Sequence, residues 1–418
     1  MLEADKFVEI KNCRLCNSRN LDSFVDFGLI PLGNNLLENC EDSARADAYP
    51  LAIKRCSRCN HFQLSASVNP KKLYATNYTY LSSVGNSFVE HIKLYAEWAV
   101  KRFSLGKNTL VLDVGSNDGL GLQFFKKLGC NVLGVDPARY AAEIANKNNI
   151  NTINSFFTDD VTNEILMKYG QVDFITSHNV LAHIDEIDKV FKNIYKLLKD
   201  SSSFVFEIGY FRNVLENKLF DTIYHEHLDY HHASPIVNYL TNTGFEIVNI
   251  TTNKIQGGSL RIETRKTGKS CISKKALEFI SLEKKSILYQ SDFLNTWRRN
   301  VDKTMNLLNQ KVLFYSKEGY EIAGYGAPTK VTLLLHLSKL TKKEVSYLIE
   351  DNLLKVGRYT PRASIPIFSF DELKSRKPEI LIIFAWNFAD DIIKKLKEIV
   401  DWKLKCIVPL PKYKEIFL

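Results

Sequence analysis

The sequence lacks the long apolar segments of membrane-spanning and secreted proteins. Nowhere in its 418 residues do the ~18 consecutive uncharged apolar residues of a transmembrane helix occur. The first residues, MLEADKFVEIKNC, do not contain a basic region followed by an apolar stretch, which a secretory signal would require. These absences predict a cytoplasmic protein that does not associate with membranes.

The sequence also lacks a concentrated patch of basic residues. Its net charge of +9 comes from 56 basic and 47 acidic side chains, and the excess is spread as pairs such as Lys126-Lys127 and Lys284-Lys285. Nucleic-acid binding needs a focused basic stripe or a known module, and neither is visible, so no nucleic-acid partner is expected. A mild positive bias would still help to collect an anionic substrate.

The length and the balance of residue types predict a globular protein with more than one domain. Hydrophobic residues make up 45% and charged residues 25%, which excludes a disordered chain. A chain of this length is expected to form two or three domains. Changes in residue pattern divide the chain into three predicted domains, over residues 1–75, 76–268 and 269–418.

Four of the eight cysteines form two C-x-x-C pairs in the first segment, namely Cys13/Cys16 and Cys56/Cys59. Each pair can place two thiolates on one ion, and soft tetrahedral thiolate ligation selects zinc. With four protein ligands no coordination position stays open, so the zinc would be structural. The alternatives are a redox pair or two unrelated motifs, although no thioredoxin-like pattern surrounds either pair.

Strand and helix patterns alternate in the second segment. Apolar runs of strand length occupy residues 108–114, 131–135, 172–177 and 203–208, and a helical pattern covers residues 120–128. Strands that alternate with helices predict an α/β fold with a parallel, doubly wound sheet. Ligands of such sheets bind at the carboxyl ends of the strands.

A glycine-containing turn, GSNDG, follows the first of these strands and predicts the cofactor. Nicotinamide dinucleotides would be expected to use G-x-G-x-x-G, which this segment lacks. The carboxylates here would repel a pyrophosphate but suit the cationic amino-acid and sulfonium portion of S-adenosylmethionine. The residues predicted to bind the cofactor are Asp113, Gly115, Asp118, Gly119, Asp136 and Pro137, with Asp136 on the ribose. The alternative is an ordinary turn whose acidic residues cap the helix.

The third segment repeats the strand, glycine turn and helix arrangement. A long helical stretch is predicted over residues 274–317, followed by a strand at 320–323, the turn GYGAPTK and a helix at 331–337. Further strands are predicted at 345–350 and 379–385. Backbone N–H groups and the ammonium of Lys330 could cradle a diphosphate, with Tyr325 and Gly326 beside them. The alternative is a plain turn with a surface lysine.

The whole chain resembles the bacterial sugar C-methyltransferases, which make branched deoxysugars for antibiotics and surface glycans. The motifs that carry the resemblance are YHEHL (224–228), GGSLR (257–261), GYGAP (324–328), KVGRYTP (355–361) and AWNF (385–388). Three places depart from the family pattern: Gln256, residues 361–364, and Val331 with Thr332. These departures leave the identity of the nucleobase and of the sugar open.

The resemblance implies a fold, two cofactors and a set of site residues. The implied fold is a small zinc-binding domain, a class I Rossmann-like methyltransferase domain and a second Rossmann-like domain, using S-adenosylmethionine and structural zinc. The residues expected around the sugar are Tyr78, His183, Tyr224, Glu226 and His227, with Lys330, Gly326 and Tyr325 binding the rest of the substrate. The implied substrate is a nucleoside-diphosphate 4-keto-6-deoxyhexose, methylated at C3, and the enzyme is expected to be a monomer.

Methylation at carbon requires a base, because a carbon nucleophile must first be made beside the ketone. His227 is the predicted base, since the pKa of histidine lies near the operating pH. Tyr78, Tyr224 and His183 are the candidates to steady the enolate, and Glu226 would orient the imidazole or bond a sugar hydroxyl. His225 and His183 are the rival bases. The histidines could instead be structural, or a metal site, although H-E-H is not the helical H-E-x-x-H spacing.

Two other classes of function stay open at the level of sequence. An oxygen- or nitrogen-methyltransferase acting on a nucleotide sugar would use the same fold, because fold alone does not fix the acceptor atom. A binding protein could also use the third segment to hold a nucleotide sugar without turnover.

Overall fold

The structure, a computed structural model, describes residues 6–74 and 81–418. The strands in chain order are β1 (Phe7–Glu9), β2 (Leu21–Pro31), β3 (Ala48–Cys56), β4 (Phe62–Leu64), β5 (Ala66–Val68), β6 (Leu110–Val114), β7 (Asn131–Val135), β8 (Thr152–Ile153), β9 (Val172–His178), β10 (Leu198–Gly209), β11 (Asp229–Tyr230), β12 (Phe245–Asn253), β13 (Ser259–Lys266), β14 (Ile322–Tyr325), β15 (Tyr347–Glu350), β16 (Ile367–Ser369), β17 (Ile380–Ile383), β18 (Lys405–Val408) and β19 (Lys414–Phe417). The helices are α1 (Cys40–Ala44), α2 (Pro70–Tyr74), α3 (Asn86–Phe103), α4 (Leu120–Lys127), α5 (Arg139–Lys147), α6 (Asp159–Tyr169), α7 (Ile187–Leu197), α8 (Phe211–Glu216), α9 (Ala233–Asn242), α10 (Lys274–Lys284), α11 (Ser291–Lys317), α12 (Val331–Leu337), α13 (Leu373–Arg376) and α14 (Ala389–Ile399).

The middle of the chain forms a large sheet that confirms the predicted α/β class. Within the described residues its strand order is β12-β13-β10-β9-β6-β7-β8. The strands β6 to β10 run parallel, whereas β12 and β13 pair antiparallel at one edge. The central strands β6 and β9 are almost wholly buried, because helices cover both faces of a doubly wound sheet. The four predicted strands of this segment are present as β6, β7, β9 and β10.

A second, mostly parallel sheet lies in the C-terminal part of the chain. Its order among the described residues is β16-β15-β14-β17-β18-β19, and only β19 runs antiparallel to its neighbour there. The predicted strands at 320–323, 345–350 and 379–385 correspond to β14, β15 and β17, each displaced or shortened by a few residues. The predicted turn therefore lies between β14 and α12, at the carboxyl end of the sheet.

The helical stretch predicted over residues 274–317 is confirmed, but it is divided into two helices. The structure has α10, a short 3-10 turn at Ile287–Tyr289 and then α11. Long-range contacts cause the break: Leu288 is fully buried, and the carboxylate of Glu283 accepts hydrogen bonds from the backbone N–H groups of Ala233 and Ser234 at the start of α9. A straight helix would give up the burial of this turn, so tertiary packing overrides local propensity.

The two cysteine pairs fold into turns of the same geometry. In each turn the residue after the second cysteine, Asn17 or Asn60, has a left-handed backbone and donates its N–H to the carbonyl of the first cysteine at 2.8 Å. Asparagine is one of the few non-glycine residues that adopt this conformation readily. The repeated C-x-x-C-N pattern thus specifies two matching knuckles.

The knuckles bring four thiol groups together. The Sγ atoms of Cys13 and Cys59 are 3.6 Å apart, those of Cys16 and Cys56 are 3.5 Å apart, and all four lie within 4.8 Å of one another. Tetrahedral coordination with Zn–S bonds of about 2.3 Å requires sulfur separations of roughly 3.8 Å, so this arrangement fits zinc. The four sulfurs fill the coordination sphere, which gives a structural rather than a catalytic site.

The zinc module shares a sheet with residues much later in the chain. Its strand order is β11-β4-β3-β2, and β11 (Asp229–Tyr230) pairs antiparallel with β4. The buried pair His61 Nε2 and Asp229 Oδ1, 2.7 Å apart, adds a side-chain contact to this strand pairing. The side chain of Arg14, inside the first knuckle, donates to Asp185. The zinc module therefore contacts Asp229, two residues after His227, and Asp185, two residues after His183.

No helix among residues 6–74 and 81–418 is long and apolar enough to cross a membrane.

We expect purified protein to contain about one zinc ion per chain, and Cys56→Ser to lose it. Because a structural zinc site contributes several kcal/mol to folding, the midpoint of thermal unfolding of this variant should fall by about 10 °C or more. Elemental analysis and calorimetry measure the two effects. Cys271→Ser, which changes an exposed cysteine outside the cluster, is the matched control. Zinc-free wild-type protein of unchanged stability would contradict the assignment.

Candidate active site

The turn between β6 and α4 places the predicted cofactor residues at the carboxyl end of the large sheet. Gly115 and Gly119 both have φ of +79°, a conformation that favours glycine. A Cβ atom on Gly115 would lie 2.2 Å from Cγ2 of Val180, and one on Gly119 would lie 3.0 Å from Cγ2 of Ile150. Both glycines are therefore required by the turn itself, which keeps the backbone open towards a ligand.

Asp136 ends β7 and fastens this turn. Its Oδ2 accepts the N–H of Asn117 and its Oδ1 accepts the N–H of Ala138, both at 2.8 Å. Pro137, which stands between Asp136 and Ala138 in the sequence, is half-buried. Burial raises the pKa of Asp136, and the two backbone hydrogen bonds oppose that rise. Each carboxylate oxygen can accept a second hydrogen bond, so ribose hydroxyls can still be bound here.

The other two predicted carboxylates differ in their partners. Asp118 accepts the N–H groups of Leu120 and Ser83, at 3.3 and 3.0 Å, so it caps α4 as the alternative interpretation expects. Asp113 is buried, burial raises its pKa to about 6, and its Oδ1 has no hydrogen-bond partner among the described residues. A buried acceptor without a donor is costly, so Asp113 fits the cationic amine of a ligand bound over the turn.

A buried network around Glu207 supports this edge of the sheet and was not predicted from the sequence. One oxygen of Glu207 contacts His91 at 2.7 Å and His178 at 3.3 Å, and the other contacts Arg261 at 2.7 Å and Asn253 at 3.0 Å. Burial alone would raise the pKa of Glu207, but the histidines and the arginine lower it well below its usual range. The network joins α3, β9, β10, β12 and β13, and it gives the arginine of GGSLR a structural role.

His183 and His227 form the centre of the predicted reaction cluster. His183 ends a 3-10 turn after β9, and the centroid of its ring lies 4.8 Å from that of His227. His227 Nδ1 lies 2.8 Å from the carbonyl of Thr222, and its Nε2 lies 2.9 Å from the hydroxyl of Tyr224. A carbonyl can only accept, so Nδ1 carries the proton and Nε2 is the basic nitrogen.

The electrostatic surroundings keep both histidines neutral. Burial, together with smaller contributions from His183 and from the ammonium of Lys330, lowers the pKa of His227 to about 3. Burial likewise lowers the pKa of His183 to about 4. The cluster therefore offers unprotonated imidazole nitrogen throughout the neutral pH range, but both pKa values lie well below the operating pH, contrary to the expectation from the sequence, so each imidazole is a weaker base than a free histidine.

The remaining histidines of this segment point away from the cluster. His225, one of the rival bases, is buried and contacts the carbonyl of Tyr49 through Nε2 at 3.2 Å. His232 contacts Glu283 and the carbonyl of Asn60. These side chains fix the segment against the zinc module, so a structural interpretation fits them better than acid/base work.

Glu226 lies in a buried position between parts of the chain that are far apart in sequence. Its Oε1 accepts the side-chain amide of Asn34 at 3.0 Å, and burial raises its pKa to about 7. Asn34 was not among the predicted site residues, because only the fold brings it to Glu226. Tyr78, which was predicted to join the cluster, lies outside the described residues.

Lys330 connects the C-terminal turn to the cluster. Its Nζ lies 3.0 Å from Oδ1 of Asn387, 3.7 Å from Oδ2 of the buried Asp221, and 4.8 Å from the ring centroid of Trp386. These contacts hold the ammonium group of Lys330 in place, so the alternative interpretation as a plain surface lysine does not apply. Asp221, three residues before the YHEHL motif begins at Tyr224, was not predicted.

The fold itself accounts for Tyr325 and Gly326 at this turn. The hydroxyl of the buried Tyr325 donates to Asp351 at 2.8 Å. Gly326 has φ of +91°, and a Cβ atom there would lie 2.6 Å from Cβ of Ala385. The structure places both residues at the carboxyl end of β14, as predicted, but gives neither a contact that singles out a ligand.

The C-terminal turn repeats the carboxylate arrangement of the cofactor turn. Glu350 ends β15, as Asp136 ends β7, and its two oxygens accept the N–H groups of Ala327 and Asn352 at 2.7 and 3.0 Å. Lys355 is mostly buried and donates to the carbonyl of Ala327 at 2.9 Å. Neither Glu350 nor Lys355 was assigned to the site from the sequence.

Comparison with known proteins agrees with this division of the chain. Three family models match: one for a zinc-binding domain at residues 13–74, one for a methyltransferase domain at 88–250, and one for a C-methyltransferase C-terminal domain at 254–411. C-methyltransferase NovU of Streptomyces niveus is 30% identical over 404 residues, which is 96% of each chain.

Solved structures resemble a smaller part of the chain. Magnesium protoporphyrin IX methyltransferase of Synechocystis PCC 6803, with bound S-adenosylmethionine, is 15% identical, with a TM-score of 0.34 over 43% of this chain and 79% of its own. The YcgJ protein of Bacillus subtilis is 16% identical, with a TM-score of 0.33 over 43% of this chain and 99% of its own.

The identity to NovU extends over nearly the full length of both chains, and the family models account for all three sequence segments. The cysteine cluster and the turn after β6 match the two cofactors of such an enzyme, zinc and S-adenosylmethionine. The chain therefore belongs to the family of S-adenosylmethionine-dependent C-methyltransferases.

Proposed function

We propose that this enzyme methylates C3 of a nucleoside-diphosphate-linked 4-keto-6-deoxyhexose. The observation that carries the proposal is the cluster of His183, Tyr224 and His227, in which Nε2 of His227 is unprotonated and a phenolic hydroxyl lies 2.9 Å away. A base and a hydrogen-bond donor side by side are what an enolisable ketone requires.

The proposed reaction begins with removal of the C3 proton. His227 Nε2 accepts that proton, and the electron pair of the C–H bond moves onto the ketone oxygen at C4. The hydroxyl of Tyr224, which contacts Nε2 in the structure, turns to donate to this oxygen as its negative charge grows. His183 lies against His227 and is a second donor or orienting group for the same enolate.

The second step forms the carbon–carbon bond. When bound, S-adenosylmethionine supplies an electrophilic methyl group on its sulfonium. The turn at Gly115 and Gly119 would hold this cofactor, with Asp136 on the ribose and Asp113 on the amino group. The enolate carbon would take the methyl group as the ketone is restored, and the electron pair of the broken carbon–sulfur bond would stay on sulfur, which leaves as a neutral thioether. Asp118 serves the turn by capping α4, so we assign it a supporting role.

The nucleotide portion of the substrate is proposed to lie along the C-terminal turn. Lys330 is partly exposed and supplies positive charge for a diphosphate, while Asp221 and Asn387 hold its ammonium in place. Because the charge of Lys330 lowers the pKa of His227, a diphosphate bound beside the lysine would make the imidazole more basic. Substrate binding and activation of the base would then be linked.

Three points follow from the same proposal. Membership of a C-methyltransferase family favours carbon over oxygen or nitrogen as the acceptor, and turnover over simple binding. The domain boundaries near residues 75 and 268 stay predictions. We propose that the first domain binds zinc, the second the methyl donor and the third the sugar nucleotide. A cytoplasmic location and a monomeric state also stay predictions.

We expect Asp136→Ala to weaken S-adenosylmethionine binding by about 10- to 100-fold, because two hydrogen bonds from ribose to a carboxylate would be lost. Isothermal calorimetry measures the affinity. Asp136→Asn, which keeps one acceptor for the turn, separates ligand contact from loop distortion. Asp160→Ala, on the exposed face of α6, is the control. Unchanged affinity in folded Asp136→Ala protein would refute the assignment.

We expect His227→Ala to slow exchange of the C3 hydrogen with heavy water by about 10²–10⁴-fold, the usual contribution of a positioned general base. The exchange is followed by mass spectrometry of a 4-keto sugar nucleotide without the methyl donor. His336→Ala, an exposed histidine on α12, is the control.

The same measurement distinguishes the rival bases. His183→Ala should retain more exchange than His227→Ala, and Tyr224→Phe should slow exchange by weakening stabilisation of the enolate. If His227→Ala exchanges at the normal rate while His183→Ala does not, the base is His183.

A further inference from the structure

Asn34 lies where the three segments of the chain meet. It follows β2 in a tight turn that is closed by a hydrogen bond from Asn35 N to Leu32 O at 3.2 Å. A Cβ atom on the preceding Gly33 would lie 2.3 Å from the carbonyl oxygen of Thr329, so only glycine lets this turn approach the C-terminal segment so closely. The close approach puts the side chain of Asn34 between Thr329 and Glu226.

The side-chain amide of Asn34 is bonded on both sides. Oδ1 lies 2.7 Å from the hydroxyl of Thr329, and Nδ2 lies 3.0 Å from Oε1 of Glu226. An amide oxygen only accepts and an amide nitrogen only donates, so donation runs from Thr329 to Asn34 and from Asn34 to Glu226. This direction is the one required by an ionised Glu226, which has no proton to give.

Protonation of Glu226 would favour the opposite arrangement. A neutral carboxyl group can donate to the amide oxygen, in which case the amide would flip and its Nδ2 would face the hydroxyl of Thr329. The hydroxyl can accept as well as donate, so it allows both arrangements. The orientation in the structure is therefore coupled to the charge of Glu226.

Glu226 needs this support because its surroundings disfavour charge. It is 2% exposed, and burial raises its pKa to about 7 even though hydrogen bonds from its own backbone N–H and from the side chain of Asn34 oppose the rise. Among the described residues, titratable groups facing Glu226 are the buried hydroxyl of Tyr230, the ring of His183 against its backbone, and Lys72 at the rim of the adjoining cleft. Asn34 is a direct donor to the carboxylate itself.

We propose that Asn34 is a positioning residue that stabilises and orients the ionised form of Glu226, with Thr329 holding the amide in the required direction. The inference rests on the proposed function only in placing Glu226 at the sugar. An ionised Glu226 accepts a hydrogen bond from a sugar hydroxyl, whereas the neutral acid would donate one. Because Thr329 precedes Lys330, the orientation of this acceptor is linked to the turn proposed to hold the diphosphate.

The charge of Glu226 can be measured without any substrate. The infrared band of protonated carboxyl groups is recorded against pH, and the spectrum of Glu226→Gln is subtracted to isolate one residue. We expect Asn34→Ala to raise the titration midpoint of Glu226 by about one to two pH units, the usual worth of a hydrogen bond to a charged group. Asn34→Asp should raise it further, because it adds a like charge beside the carboxylate.

Catalysis gives the second readout. The pH profile of kcat for methyl transfer should move to higher pH by the same one to two pH units in Asn34→Ala, because activity rises as Glu226 ionises. The sign follows because removing a donor to the charged form raises the pKa, so more base is needed to form the anion. A merely structural defect would lower kcat at every pH. Asn35→Ala, in the same turn, is the matched control.

Thr329→Val provides an independent variant at the other end of the series of hydrogen bonds that runs from Thr329 through Asn34 to Glu226. It keeps the size of the side chain but removes the hydroxyl that bonds the amide, so the midpoint should rise by less than in Asn34→Ala. Binding of S-adenosylmethionine, measured by calorimetry, should be unchanged in every folded variant. If Asn34→Ala does not fold, the shifts in Thr329→Val and Asn34→Asp still decide the question.

The outcomes separate this inference from the proposed function. If the infrared midpoint rises as expected but no 4-keto sugar nucleotide is methylated, the assignment of the substrate fails while the role of Asn34 holds. If the midpoint of Glu226 stays at its wild-type value in the folded Asn34 and Thr329 variants, the role of Asn34 is overturned, whatever the activity.

Discussion

The backbone pairing between β4 and β11 is the contact on which the arrangement of the active site depends. Residues 62–64 leave the second cysteine knuckle directly, and residues 228–230 follow His227 directly, so a few hydrogen bonds set the distance between the zinc site and His227, the proposed base. The pairing of His61 with Asp229, together with Arg14 on Asp185, extends the same connection to the segment of His183. The zinc ion thus shapes the reaction centre without being part of it.

Features that are encoded locally could be predicted from the sequence. The two C-x-x-C-N turns, the strand before Gly115 and the helix after Lys330 each depend on residues within a few positions of one another, and the structure agrees with them. The contacts of Glu226 with Asn34 and of Lys330 with Asp221 join residues more than a hundred positions apart. No periodicity or spacing records such a pair, which is also why the break between α10 and α11 was missed.

The two glycine turns, after β6 and after β14, are held by the same pattern of hydrogen bonds to the backbone. In each, the acidic residue at the end of the second strand accepts an N–H from the turn after the first strand and another from two residues beyond itself, as Asp136 and Glu350 do. The cofactor turn also has a buried carboxylate, Asp113, whereas the C-terminal turn has Lys330 and Lys355 nearby. The shared geometry holds the backbone, and the differing charge matches the different ligands proposed for the two turns.

The bond between Nδ1 of His227 and the carbonyl of Thr222 has a consequence for the path of the proton. With one ring nitrogen committed to a backbone acceptor, the imidazole cannot pass a proton from one side to the other as a shuttle does. A proton taken at Nε2 has to depart from Nε2, on the face where the sugar would lie. The proton and the methylated sugar would therefore share one exit, and recovery of the base would wait until that face is open to water.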